Sequence, residues 1–449
     1  MTQKQEEKQK VKMDYVFSGC AMMRILPRKE TEVFHADYIE MRQTVIAEGV
    51  KFAKEKCQKM FPHYDIKQSL LYNAYDEPKA GVKFKEANLF NFDNLYADSG
   101  GLQAVTRGVN VDSKFKEEIY NKQKIADFAF CFDEIPVEFK DDCTSPEFAR
   151  TSVDTKHFIA KDFKECAYHT AENINNQLES FEGESTKTFY ILQGNTFEEM
   201  HDWVRWGSEK IKNIDQICGV APADTCMGNG PLESCDMMMA SKLVFNDFPS
   251  MNKQIHLLGV GSATRMYPAI KLAESGFLDS NPLLSFDSST HPGCLMLGKF
   301  FDSRGKKYNQ KIHGNDKRSF REFLEFYEDF YSKYVDNYDQ EEFLNYLVED
   351  NRCRSIGNIE KDIFETLPKY QNIAGSVTTL YSVWLNTGFF NRCGDMDKAR
   401  SVIQSPLGLL EDIKTIDDYK HWRSEFKHMI KSQRMDRKLE NDLFSLFEY

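Results

Sequence analysis

The sequence lacks an apolar run that approaches the ~20 residues needed to span a lipid bilayer. Its polar first residues, MTQKQEEKQKVK, also lack the apolar stretch of a secretory signal. The 11 cysteines include no C-x-x-C pair, and scattered thiols of this kind are typical of a reducing compartment. We therefore expect a cytoplasmic chain with reduced cysteines and no membrane span.

An excess of positive charge is also missing, because the formal net charge is -12 at pH 7. This balance argues against a protein that coats nucleic acid non-specifically, since phosphate binding requires clustered Lys and Arg. It leaves room for a local basic groove, because total charge says little about one face of a large enzyme. Two basic stretches would suit such a groove or, equally well, a solvated linker. They are Arg304-Gly305-Lys306-Lys307 and Lys317-Arg318.

Between about residue 15 and residue 300, short β-rich runs alternate with helical stretches and turns. The runs are YVFSGC, NLYADSGG, DFAFCFDE, TFYILQG, QICGVA, IHLLGVG and PLLSFDSS. Several are apolar on both faces, as parallel strands covered by helices must be. The alternation predicts an α/β fold and favours a (β/α)8 TIM-like barrel over an open sheet, although the pattern itself fits both.

Local signals mark several of the intervening helices. Thr196 and Glu199 have the spacing of a capping box directly after the run TFYILQG. Gly276 follows a helix from about Thr264 and suits a left-handed C-cap. Ser145-Pro146-Glu147 is typical of an N-cap followed by proline at the first helical position.

The sequence changes character after about Gly305, where segments such as FREFLEFYEDFYSKYVDNYDQEEFLNYLVED are aromatic-rich and acidic at helical spacing. We expect three parts: a disordered tail over residues 1–12, a barrel over 13–305, and a mainly helical region over 306–449 that packs on the barrel. The aromatic stripes of this last part are typical of a hydrophobic core rather than of a cofactor site.

Polar residues and glycines stand where the apolar runs end. In a parallel barrel the carboxyl ends of the strands form one rim, and that rim carries the active site. Three aspartates, one glutamine and several glycines would converge there, and the glycines would let a flat ligand approach the backbone. The segments are Asp98-Ser99-Gly100-Gly101, Asp133-Glu134, Gln193-Gly194, Gly219-Val220-Ala221, Gly259-Val260-Gly261 and Asp287-Ser288-Ser289.

Each of these residues has a plainer interpretation when it is taken alone. An aspartate at a strand end commonly caps the following helix, and Gly100-Gly101 fits an ordinary turn. Cys218, Cys226 and Cys235 match no common zinc spacing. The order of the segments along the chain is more informative than any single residue.

Taken in order, the segments resemble the motifs of the tRNA-guanine transglycosylase family. The family has an Asp-Ser-Gly-Gly-aromatic-Gln block, Phe-Asp-Glu, a Gln-Gly strand, a Gly-Leu-Ala strand, a Met-Gly-Val-Gly strand and a Phe-Asp nucleophile strand. The corresponding segments here are YADSGGLQ (96–103), FDE (132–134), ILQG (191–194), CGVA (218–221), LLGVG (257–261) and SFDSST (285–290). The first and last motifs are the specific ones, and the likeness covers about residues 90–300.

By position, the resemblance implies three chemical roles. Asp287 would be the nucleophile that attacks the anomeric carbon and forms a covalent glycosyl-enzyme intermediate. Asp98 would be the general acid/base for the departing and incoming bases. Asp133 would accept the N–H groups on the Watson–Crick edge of guanine.

The remaining matches imply contacts with the base. Gln193 and the backbone N–H of Gly219 would donate to the purine carbonyl oxygen. The carbonyl of Val220 would lie near the substituent of the incoming 7-deazaguanine. The other implied substrate-binding residues are Ser99, Gln103 and Leu258.

The sequence departs from the family in the stacking residues, the zinc site and the residues that read tRNA. Leu102 and Leu258 stand where the family stacks the base between an aromatic residue and a methionine, which removes a stacking contribution of about 1 kcal/mol. Ile135 stands where bacterial tRNA enzymes have cysteine. The Cys-x-Cys-x-x-Cys…His zinc motif is missing, and the nucleophile strand continues as Ser-Ser-Thr-His-Pro-Gly, without arginines for an anticodon loop.

These departures favour the related DNA 7-deazaguanine transglycosylases of phages and bacterial DNA-modification clusters, which exchange guanine in DNA. We therefore expect DNA as the partner, tRNA as the alternative, and a free base such as 7-cyano-7-deazaguanine as second substrate. No cofactor and no metal is expected, and homodimerisation stays open. A non-catalytic partner subunit and a base-excising glycosylase also stay open, although a scaffold would need none of the chemical residues.

Overall fold

The apolar runs pair as parallel strands and close into a barrel in a computed structural model of the chain. The strands are β1 (Val11–Ser18), β2 (Tyr64–Asn73), β3 (Leu95–Asp98), β4 (Phe128–Phe130), β5 (Val137–Phe139), β6 (Phe158–Ala160), β7 (Lys187–Leu192), β8 (Ile217–Pro222), β9 (Gln254–Leu257), β10 (Leu283–Ser288), β11 (Lys299–Phe301) and β12 (Lys307–Asn309). Around the barrel the order is β1-β10-β9-β8-β7-β4-β3-β2, with parallel pairing throughout. The predicted α/β fold class, a (β/α)8 TIM-like barrel, is confirmed.

The structure describes most of the barrel and a few stretches beyond it. The stretches are 11–18, 64–75, 92–106, 109–139, 158–223, 231–261, 263–274, 276–278, 282–288, 299–301, 307–309 and 415–428, with scattered residues between 48 and 62, between 325 and 342, and at 413 and 432. Several predicted features lie outside these residues, namely the helix start at Ser145-Pro146-Glu147 and the basic residues at 304–306 and 317–318.

Helices lie between the barrel strands, and three of them begin at side-chain caps. They are α1 (Gly101–Thr106), α2 (Ser113–Gln123), α3 (Phe163–Ser180), α4 (Phe197–Ser208), α5 (Pro231–Asp247) and α6 (Ala263–Glu274). The carboxylates of Asp112 and Asp162 accept N–H groups in the first turns of α2 and α3, at 2.8 Å in each case. Thr196 Oγ1 accepts the N–H of Glu199 at 3.1 Å, which confirms the predicted cap of α4. Gly276 has φ +78° just after α6, as predicted.

The barrel interior is filled by rings, so it is a packed core and not a channel. Tyr96 stacks on Phe128 and Phe130 with centroids 4.8 and 6.1 Å apart. Phe189 lies 5.6 Å from Phe130, and the His256 ring lies 4.6 Å from the same phenylalanine. All five side chains are buried. These rings leave the rim of the barrel, rather than its interior, as the place where a ligand could bind.

The second barrel strand escaped the sequence analysis. β2 has the sequence YDIKQSLLYN, and its polar Asp65, Lys67, Gln68 and Ser69 interrupt the apolar pattern that marks the other strands. Gln68 and Ser69 are nevertheless fully buried in the fold. Ser69 donates a 2.7 Å hydrogen bond to the buried carboxylate of Asp14 on β1, so polar pairing inside the barrel replaces apolar burial there.

The boundaries of the parts differ somewhat from the prediction. β1 begins at Val11 rather than at residue 13, because Val11 and Met13 are buried on either side of exposed Lys12. The antiparallel pair β11 and β12 spans the predicted boundary at residue 305. These strands precede any C-terminal helix that the structure describes.

One helix of the C-terminal region, residues 416–428, lies against the barrel. Tyr419 donates a 2.8 Å hydrogen bond to the buried carboxylate of Asp236 on α5, and Arg423 binds the same carboxylate through Nε and Nη2 at 2.7 and 2.6 Å. The ring of Tyr419 also packs on Phe197 of α4. This helix therefore packs on α4 and α5 of the barrel.

Candidate active site

Four of the predicted polar residues lie at the carboxyl ends of barrel strands. Asp98 is the last residue of β3, and Asp287 is the penultimate residue of β10. Gln193 follows β7 directly, and Asp133 lies three residues past the end of β4. Because all the barrel strands are parallel, these ends form one rim.

The carboxylates at this rim are close enough to influence each other. Burial first, and then the negative charges of Asp133 and Asp287, raise the pKa of Asp98 to about 7. Backbone N–H groups of Gly100 and Ser99 act in the opposite direction. At neutral pH Asp98 therefore populates both its acid and its base form, as a proton-transfer catalyst requires.

The turn after β3 aims Asp98 by means of a glycine. Gly100 has φ +76°, and a Cβ there would lie 2.5 Å from Cβ of Tyr75 and 2.7 Å from Oδ1 of Asn73. Both the backbone conformation and the close approach thus require glycine. Asn73, at the end of β2, donates a 2.9 Å hydrogen bond to Asp98 Oδ2. Asn73 was not predicted from the sequence, because β2 was not recognised as a strand.

Asp133 and Gln193 form a hydrogen-bonded pair beside the start of α1. Gln193 Nε2 donates to Asp133 Oδ2 at 2.6 Å, and both side chains are buried. Burial raises the pKa of Asp133 to about 6, while the hydrogen bond from Gln193 lowers it. A Cβ on Gly101 would lie 3.2 Å from Asp133 Oδ1, so the backbone of α1 passes directly over this carboxylate.

Asp287 is held by two nitrogen atoms, which belong to residues in and just after the neighbouring strand β9. The backbone N–H of Gly259 donates to Oδ1 at 2.8 Å, and His256 Nε2 lies 3.2 Å from the same oxygen. Asp287 is only 8% exposed. A buried carboxylate with one oxygen fixed and a second oxygen at the strand end is a suitable nucleophile.

Three further predicted contact residues lie near the turn and strand ends just described. Ser99 is fully buried, and its Oγ accepts the N–H of Gly101 at 3.3 Å, so it shapes the turn after Asp98. Gln103 is half-buried on α1, one turn from Gly100. Leu258 is partly buried against the core directly after β9. Their contacts with a base stay predictions.

Gly219 and Val220 lie inside β8 rather than at its end. Leu192 pairs with Pro222, so Gln193 is level with a residue four positions beyond Gly219. A Cβ on Gly219 would lie 2.1 Å from the carbonyl oxygen of Gln254, which explains the glycine by strand packing. The predicted contacts of Gly219 and Val220 with a purine stay predictions.

The described part of the chain shows neither a metal-binding cluster nor a membrane-spanning helix. No group of three or more His, Cys, Asp or Glu side chains there is arranged to hold a metal ion. None of the helices described is both long and apolar enough to cross a membrane.

A functional assignment for this chain rests on its own residues rather than on a comparison with known proteins. Neither a protein-family model nor a curated protein sequence matches the chain. The fold and the rim define a (β/α)8 barrel with a cluster of buried and half-buried carboxylates at the carboxyl ends of its strands.

Proposed function

We propose that this protein is a base-exchange transglycosylase that replaces guanine in nucleic acid by a 7-deazaguanine through a covalent aspartyl intermediate. The observation that carries the proposal is the pairing of Asp287, fixed and buried, with Asp98, whose pKa is about 7, on one barrel rim. Double displacement at a sugar carbon requires these two groups, a carboxylate nucleophile and a separate acid/base.

The reaction proceeds in two displacements. In the first, an oxygen of Asp287 forms a bond to C1′ while the bond between C1′ and N9 of guanine breaks. The bonding electron pair leaves with guanine, which takes a proton from Asp98. In the second, Asp98 removes a proton from N9 of the incoming base, that nitrogen attacks C1′, and the bond to Asp287 breaks. The sugar keeps its original configuration, no oxidant or cofactor is consumed, and Asp98 ends protonated as it began.

Recognition of guanine falls to Asp133 and Gln193. The carboxylate is an acceptor for two N–H groups, which suits N1 and the exocyclic amine of guanine. The Gln193 amide, now bonded to Asp133 at 2.6 Å, carries a donor for the adjacent carbonyl oxygen. A base that enters the site would break the hydrogen bond between Gln193 and Asp133 and would form several others in its place. This exchange favours purines whose donors and acceptors are arranged as in guanine.

DNA is the proposed acceptor, with the target nucleotide turned out of the base stack so that Asp287 reaches its sugar. The sequence keeps the chemical residues but lacks the zinc motif and the arginines associated with tRNA. A change of nucleic acid with unchanged chemistry would leave this pattern. tRNA is the alternative acceptor.

The test measures incorporation of radiolabelled guanine or 7-cyano-7-deazaguanine into equal amounts of guanine-containing DNA and unmodified tRNA. We expect label in DNA and release of an equal amount of guanine. Label in tRNA only would show that tRNA is the acceptor, whereas guanine release without label uptake would indicate a base-excising glycosylase.

The matched pair of variants for this assay is Asp98→Asn and Asp215→Asn. Both remove one carboxylate at nearly constant volume, but Asp215 is exposed and lies in the turn directly before β8, at the amino ends of the barrel strands and so opposite the rim. Asp98→Asn should lower exchange by about 100-fold or more, as loss of an acid/base does, and Asp215→Asn should leave it unchanged. A non-catalytic subunit would show no exchange in any of the three proteins.

A further inference from the structure

A chain of buried polar side chains leads from Asp287 into the barrel core. His256 on β9 has its Nε2 3.2 Å from Asp287 Oδ1 and its Nδ1 2.9 Å from Ser285 Oγ. Ser285 interacts with Tyr96, whose hydroxyl donates to the carboxylate of Asp14 at 3.0 Å. All five side chains are buried. Asp287 reaches the rim, and the other four lie beneath it.

The imidazole of His256 is clamped in one orientation. Its side chain is fully buried, and its ring packs against Phe130 and Tyr96, at centroid distances of 4.6 and 5.6 Å. With the ring packed in this core and Nδ1 at Ser285, the Nε2 edge faces the carboxylate. Burial of the two imidazole nitrogens without hydrogen-bond partners would cost free energy. In this core, Ser285 and Asp287 are those partners.

The hydrogen-bonding groups around His256 indicate which of its two ring nitrogens carries a proton. An ionised Asp287 is purely an acceptor, so an attractive contact requires hydrogen on His256 Nε2. In the neutral ring Nδ1 then accepts the hydroxyl proton of Ser285. In the cationic ring Nδ1 donates, and the Ser285 hydroxyl turns to the carbonyl of Ile255, which lies 3.2 Å away. Ser285 can serve both forms, and in both of them Nε2–H faces Asp287.

We infer that His256 is a positioning residue for the nucleophile of the proposed reaction. It donates through Nε2 to Asp287 Oδ1, which also accepts the N–H of Gly259, and so leaves Oδ2 to attack C1′. The same two donors stabilise the carboxylate charge that returns when the covalent intermediate breaks down. The inference rests on the proposed function because it assigns a partner to that nucleophile.

Three substitutions separate the donor of His256 from its shape. His256→Gln keeps an N–H donor at about the reach of Nε2, and His256→Asn keeps one only at the reach of Nδ1. His256→Phe keeps the ring and removes both donors. Single-turnover rates of covalent adduct formation are measured at saturating DNA, with KM from steady-state exchange and folding from thermal unfolding.

The donor at Nε2 predicts a specific order of rates. His256→Gln should form adduct within about fivefold of wild type, whereas His256→Asn and His256→Phe should be slower by about 10- to 100-fold, the range expected for one hydrogen bond to a charged group. KM should change by less than about threefold, because the sugar-attacking oxygen rather than base binding is affected. Equal rates in all variants, or an equal loss in all three folded variants, would overturn the inference.

A measurement on the wild-type protein guards against variants that do not fold. In protein labelled with ¹⁵N-histidine, the His256 signal, identified by its change in Asp287→Asn, should show a protonated Nε2. An unprotonated Nε2 would overturn the inference. Wild-type protein that forms neither adduct nor exchange product would instead refute the proposed function itself.

Discussion

Nδ2 of Asn73 donates a 2.9 Å hydrogen bond to Oδ2 of Asp98, across the paired strands β2 and β3. Oδ1 of Asn73 accepts the backbone N–H of Tyr75 at 2.9 Å, so the amide is fixed with its donor toward the carboxylate. Such a bond stabilises the charged form of a carboxyl group and lowers its pKa. Asn73 therefore opposes the burial that raises the pKa of Asp98 to about 7.

Asn73→Ala should raise the pKa of Asp98 further, because only the hydrogen bond to the charged form is lost. We expect the limb of the exchange pH profile that reports Asp98 to move up by about half a unit to one unit. Asn175→Ala is the control, since Asn175 also makes one donated and one accepted bond, both 2.9 Å, but on α3. A profile that stays in place or moves down would contradict this role.

Asp98→Asn should stabilise the folded protein at high pH. The pKa of Asp98 rises from 3.8 to about 7 on folding, so its contribution is fully present below pH 4 and is lost as pH rises through 7. A neutral amide escapes this loss. We expect Tm of the variant to exceed that of wild type by a few degrees at pH 8 and by nothing at pH 4. A gain that is independent of pH would show that burial of the charge is not its cause.

Asp133→Asn should weaken recognition of the free base more than it slows the chemistry. The amide offers one acceptor and one donor where guanine needs an acceptor for two N–H groups. We expect KM for the incoming base to rise by about 10- to 100-fold, as for loss of a hydrogen bond to a charged group, while single-turnover adduct formation changes less. A larger effect on adduct formation than on KM would instead indicate that Asp133 takes part in proton transfer.

Gly219→Ala should cost far more stability than Gly183→Ala. A Cβ at residue 219 would lie 2.1 Å from the Gln254 carbonyl oxygen on the neighbouring strand, whereas nothing lies within 4 Å of one at residue 183. We expect a loss of about 3 kcal/mol or more for the first variant, at or beyond the usual overpacking range. The second should lose about 1 kcal/mol, because Gly183 has φ +81°. Similar free energies of unfolding for both would disprove the packing explanation of Gly219.

The sequence predicts the barrel because most of its strands are apolar and end in distinctive residues. Asp98 and Asp287 terminate such strands, and parallel pairing brings them to one rim. β2 could not be recognised in this way, because its buried Gln68 and Ser69 are polar, and Asp14, the partner of Ser69, lies 55 positions away. Asn73 was lost with that strand.

The contact between His256 and Asp287 could not be predicted from the sequence either. His256 lies inside the run IHLLGVG, where a histidine gives no local sign of its partner. The contact with Asp287 depends on the pairing of β9 with β10, which joins residues 31 positions apart. The bond between Tyr419 and Asp236 spans 183 positions and is still further from any sequence pattern.

Attack of Asp287 on a sugar carbon can be tested directly by isolating the covalent intermediate. Wild-type protein is mixed with guanine-containing DNA without an incoming base, quenched with denaturant, digested and analysed by mass spectrometry. We expect a nucleotide attached to the peptide that contains Asp287, lost on addition of free guanine before quenching and never formed by Asp287→Asn. An adduct of the same yield in Asp287→Asn, or one located on another residue of wild type, would show that Asp287 is not the nucleophile.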